Sequence, residues 1–149
     1  MDVNPVFHTL FLYIHVLSVV VSIGPLFALI PILKRMEKAR ESEMSGFVQS
    51  FQSAITVVKH AGHVLVISGV MLIVISGWTW TTSWVLLTNV VMVGSIVFLA
   101  RAFKPTLQTF GTAQYNRLEF IVKLRKKTWQ YIALLLIMLW LMVVKPNFW

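Results

Sequence analysis

Four histidines, His8, His15, His60 and His63, are the side chains best suited to chemistry, and all lie among long runs of Ile, Leu, Val and Phe. An imidazole in so apolar a setting needs a partner, because burying a polar group without one costs several kcal/mol. His8 and His15 are seven residues apart and share one face of a helix, a stripe that Ser18, Ser22 and Pro25 continue. His60 and His63 are three apart and also share a face, with Gly62 beside them and Gly69 and Ser76 at sevenfold spacing from it. Small residues there let a neighbouring helix or a flat macrocycle come close.

Two helices that present neutral imidazoles into a four-helix membrane bundle have the layout that clamps a haem between axial nitrogens. The expected cofactor is haem b, one per chain, with His8 near the outer surface offering a second site. His15 and His63 are the expected axial pair on the iron, and His60 is the substitute. At ~1.5 Å per residue His15 lies about 12 Å along its helix from Phe7, and His63 about 22 Å from Trp78, so sharing one iron requires a tilted helix or a tilted haem. Lys59 lies four residues before His63, and Arg101 and Lys104 end the third apolar segment on the same side. These cations are candidates to pair with haem propionates, or they snorkel and fix topology.

Other chemistries fit less well. Zinc favours three or four ligands, often with a carboxylate or thiolate, and no Asp, Glu or Cys occurs in the apolar segments. That absence also argues against a carboxylate proton relay. Copper held by His and Met stays open through Met71, Met92, Met138 and Met142, although no Met-rich cluster adjoins a histidine in the sequence. A cofactor-free structural or assembly subunit, its histidines tying helices together, is the remaining alternative.

The elements that must position these groups follow from hydropathy and charge. Four apolar segments, about Phe7 to Leu33, Ala54 to Trp78, Trp84 to Ala100 and Trp129 to Val144, each approach the ~20 residues that a helix needs to cross a membrane. Twelve of the thirteen Lys and Arg residues fall in two blocks, Lys34 to Lys59 and Arg101 to Lys127, and only Lys145 lies apart. Basic loops stay in the cytoplasm, which places both termini outside. Trp78, Trp80 and Trp84 then mark an outer aromatic belt. The expected fold is an all-α four-transmembrane-helix bundle, a single domain over residues 1–149, in a bacterial-type inner membrane.

Residues 34–46 read as a solvated extension of the first helix that ends near Gly46. Pro105 and Gly111 are expected to break the chain before a basic amphipathic run. The last span has no ionisable residue between Tyr131 and Val144 and reads as structural. Met1, Asp2 and Val3 lack the positive start of a cleaved signal, so the first helix is expected to be retained. A net charge of +8 beside a mean hydropathy of +0.80 leaves no soluble basic domain and excludes nucleic acid. The expected partners are the lipid bilayer, with its anionic headgroups, and a redox partner or larger membrane complex, with a homo-oligomer left open.

The run Leu12 to Gly24 around His15, the basic loop after it, Gly62-His63 with Ser68-Gly69, and the third span led by Trp84 resemble a group of small membrane proteins. That group holds uncharacterised integral membrane proteins, CopD-like copper-resistance proteins and HemJ-type protoporphyrinogen oxidases. The resemblance covers about the first 105 residues and implies a four-helix bundle with a b-type haem ligated from the first helix at His15. HemJ-type enzymes carry a lysine on the third helix shortly after a Trp, and Trp84 to Asn89 has none. Protoporphyrinogen oxidation is therefore not carried over, and the expectation is a b-type cytochrome or haem-binding subunit in electron transfer or haem handling.

Overall fold

The computed structural model describes residues 4–149. Met1, Asp2 and Val3, on which the reading of the leader rests, lie outside the described residues. Four helices follow one another: α1 (Pro5–Lys38), α2 (Glu41–Ser76), α3 (Ser83–Gln108) and α4 (Arg117–Val144). Each is long and apolar enough to cross a membrane, and together they form an all-α membrane bundle.

The helix ends are set by local chemistry. Asn4 caps α1 by accepting from the Val6 N–H, and Pro5 sits at the first turn, where its missing N–H costs nothing. Asn116 caps α4 through the N–H groups of Leu118 and Glu119. Pro25 and Pro31 lie inside α1, as membrane helices tolerate when neighbouring helices support the freed carbonyls.

Two sequence expectations are corrected. Residues 34–46 do not extend α1 to Gly46: α1 stops at Lys38, Ala39 and Arg40 are extended, and Gly46 lies within α2. The break arises because Glu43 accepts from the Arg40 N–H, and Glu41 and Glu43 stand in the first turn of α2, where carboxylates favour a helix N-terminus. Nor does Pro105 end α3, which continues to Gln108. Gly111 does sit in the turn that follows, at φ +79°, a conformation glycine adopts without strain.

Around the bundle, α1 packs along α2, α3 along α4, and α1 against α4, whereas α2 and α3 touch sparsely. The dense core lies at the basic end, where Leu26, Leu29, Leu33 and Met36 of α1 meet Met44, Val48 and Phe51 of α2 and Phe120, Ile121 and Leu124 of α4. Arg117 pins this end: it donates to the carbonyls of Met36 and Ala39, which are left free at the C-terminus of α1, and pairs with Glu41 at 3.7 Å. Arg125 bridges to Glu37. Tyr115 packs against Phe110 and Phe120 in the loop before α4. Burial first, and the Glu41 carboxylate second, push its phenol above the usual tyrosine range, against the opposing pull of Arg117.

At the other end the short connection and the chain's last residues are laced together. Ser83 Oγ donates to the Pro146 carbonyl at 3.0 Å and accepts from the Phe148 N–H at 3.1 Å. Trp149 Nε1 donates to the Thr81 carbonyl at 3.0 Å. Lys145 lies 5.6 Å from the Trp78 ring centroid and 5.3 Å from that of Trp84, a cation held on the negative faces of two indoles.

Candidate functional site: two cavities beside the loose helix pair

Because α2 and α3 hardly meet, space opens between them at two depths. Toward the basic end lies a cleft of about 670 Å³ that includes Lys59 and His63 of α2, Lys104 of α3, Tyr131 of α4 and Ser22 of α1. Toward the Trp end lies a cavity of about 400 Å³ that includes His8, His15, Trp78, Trp84, Met142 and Lys145. Both lie within the ~300–1,000 Å³ range of small-molecule and cofactor sites. Leu65, Val66, Met92 and Met138 line both and form the shared wall.

His15 belongs to the Trp-end cavity alone. Its Nδ1 is 2.9 Å from Ser68 Oγ and its Nε2 is 3.3 Å from Met142 Sδ. Ser68 itself donates to the Leu65 carbonyl at 3.1 Å. Gly69 makes this fit: a Cβ there would stand 3.1 Å from His15 Cε1, too close without displacing the ring. The glycine gives room for the imidazole from α1, as sequence spacing suggested for a close neighbour.

His63 lines only the basic-end cleft, so the expected axial partners His15 and His63 line different spaces. The register explains this. Ser68, not His63, lies opposite His15, and the step of five positions from His63 to Ser68 on α2 is about 7.5 Å along the axis. His60 is exposed and lines neither cavity, although its ring packs edge-on to His63 at 6.3 Å between centroids. Arg101 is likewise exposed and lines neither. Lys59 and Lys104 do come together with His63, and neither forms an ion pair among the described residues.

Three buried side-chain polar atoms lack a hydrogen-bond partner among the described residues: Ser22 Oγ, Trp84 Nε1 and Tyr115 Oη. Two of the three residues line these spaces, Ser22 the cleft and Trp84 the Trp-end cavity. The sequence reading of α4 as structural did not foresee that its residues line the Trp-end cavity. Met138 and Met142 are four residues apart on one helical face, and both line the Trp-end cavity. Sequence spacing did not foresee that Met142 touches His15, at 3.3 Å from its Nε2. Among the described residues no group of three or more His, Cys, Asp or Glu gathers in metal-binding fashion. No family model, curated protein or solved structure matches the chain.

Proposed function

We propose that this chain is a haem-binding protein of a bacterial-type inner membrane, acting in electron transfer or haem handling, with the cleft between α2 and α3 as its cofactor site. The observation that carries the reading is the joint lining of one cleft by the imidazole of His63 and the cations of Lys59 and Lys104. An exposed imidazole at the edge of a largely apolar cleft, with two exposed lysines on the same lining, matches a flat apolar macrocycle that carries an iron and two carboxylates. Gly62 lines the cleft as well, and a Cβ there would meet nothing within 4 Å, so this stretch of wall is low. The unpartnered Ser22 hydroxyl supplies a polar group still lacking its complement.

Haem would supply one-electron redox chemistry at a potential set by burial and by nearby charge. The residues of the chain have simpler tasks. His63 presents a ring nitrogen, Lys59 and Lys104 balance the carboxylates, and the aliphatic walls exclude water. Reduced and oxidised absorption spectra of the detergent-purified protein, with a pyridine haemochrome assay, test the reading. A sharp α-band on reduction and one haem b per chain are expected; a colourless protein that takes up no haem would contradict it.

A cofactor-free assembly role draws on one observation. The His15 to Ser68 hydrogen bond ties α1 to α2 without any ligand, which is how a purely structural histidine behaves. That contact does not involve His63 or the cleft.

A further inference from the structure

We propose a second site in the Trp-end cavity, a soft-cation site for Cu(I) built on His15 Nε2 and Met142 Sδ, with Met138 as the further sulfur donor. It uses none of His63, Lys59 and Lys104, and His15 and Met142 do not line the cleft that holds them, while Met138 borders both spaces.

The tautomer of His15 comes first. Ser68 Oγ has one proton, and that proton goes to the Leu65 carbonyl at 3.1 Å. In the matching tautomer, which the proposal takes, the hydroxyl oxygen accepts from His15 Nδ1–H at 2.9 Å and Nε2 keeps its lone pair. Opposite that lone pair, 3.3 Å away, lies the thioether sulfur of Met142, another lone-pair donor. Two such atoms attract one another only weakly, whereas both are ready to coordinate a cation.

The separation suits a shared metal. At about 2.0 Å to nitrogen and about 2.3 Å to sulfur, typical of a d¹⁰ cation, a distance of 3.3 Å corresponds to an angle of about 100° at the metal. An angle that far from linear calls for at least one more donor. Met138 is one turn before Met142 and lines the same cavity, as does Met92 of α3.

Donor chemistry selects the ion. Neutral imidazole with thioethers, and no carboxylate or thiolate, favours soft monovalent Cu(I) over Zn(II) or Mg(II). The absence of a His, Cys, Asp or Glu cluster among the described residues agrees with this preference, because methionine supplies the rest. The Ser68 hydroxyl, by holding Nδ1, aims the ring in the way that outer hydrogen bonds orient metal-bound histidines. Gly69 lets the ring sit where it does.

The test is Cu(I) titration of the detergent-purified chain, prepared without haem, against a chromophoric Cu(I) chelator under anaerobic conditions, with Zn(II) as the control ion. One Cu(I) per chain is expected, with no comparable uptake of Zn(II). The Met142→Leu variant, nearly equal in volume, is expected to weaken Cu(I) binding at least tenfold, and Ser68→Ala by about tenfold. Met71→Leu, which changes a methionine that does not line the cavity, is expected to leave binding unchanged. X-ray absorption of the Cu(I)-loaded wild-type chain gives a readout free of folding effects, with mixed nitrogen and sulfur ligation expected. Absence of Cu(I) binding, equal affinities in Met142→Leu and Met71→Leu, or a first shell without sulfur would each overturn the proposal. None of these results bears on haem uptake at His63.

Discussion

At the basic end of the bundle Leu26, Leu29, Leu33, Met36, Met44 and Phe51 are sealed from every surface, and Arg117 and Arg125 lock α4 to α1. At the Trp end, α1 turns Val6, Phe7, Leu10, Tyr13 and Val16 outward, and the space beside α2 is a cavity rather than a core. The same helices thus do two jobs along their length. One half holds the bundle closed by packing and ion pairs; the other leaves polar groups facing space that a ligand can use. In lipid, where outward apolar residues are already well solvated, helix association depends on packing and interhelical hydrogen bonds. The dense half is therefore where stability should reside, and the loose pair α2 and α3 is where binding should alter it.

The largest effect should come from the dense half. Phe51→Ala removes a fully buried ring that packs on Phe103 at 5.8 Å and is expected to destabilise the bundle by about 3 kcal/mol, read from denaturant-driven unfolding in mixed micelles. Val16→Ala, at a residue 53% exposed on the loose half, should stay within about 0.5 kcal/mol in the same assay. Equal effects would erase the contrast between the two ends.

Next in size is Arg117→Ala, which strips the carbonyls of Met36 and Ala39 of their partner and should cost about 2 kcal/mol. The fraying of α1 and α2 near Ala39 should appear as faster hydrogen exchange there, and unchanged exchange would place the clamp elsewhere. Smaller again is Ser68→Ala, for which the loss of one interhelical hydrogen bond within a membrane is worth about 0.6 kcal/mol. The smallest is Tyr115→Phe. Its hydroxyl is buried without a partner among the described residues, so removal should be neutral or slightly stabilising, and a loss above about 1 kcal/mol would show a hidden partner.

The four spans were legible from hydropathy because a long apolar run has few alternatives once it exceeds membrane thickness. The boundary at Ala39 and Arg40 was not, since Glu and Lys at helical spacing suit an extended helix as well as two helices joined by a capped break. The contact of His15 with Met142 spans 127 residues and depends on the relative register of α1 and α4. Sequence periodicity reports the face a residue occupies but not its depth against another helix. The same limit applies to His15 and His63: His15 is half-buried and His63 exposed, and they line different spaces. Lys59 and Lys104 could be brought beside His63 from sequence because both stand near the basic end of their helices, where topology itself fixes depth.

The central claim is that the α2 and α3 cleft, through His63, is the cofactor site. The most direct measurement is haem content per chain in His63→Ala and His15→Ala, purified side by side and checked for monodispersity. The account predicts that His63→Ala loses haem while His15→Ala retains it. Haem that persists in His63→Ala and disappears in His15→Ala would contradict the assignment and move the cofactor to the Trp-end cavity.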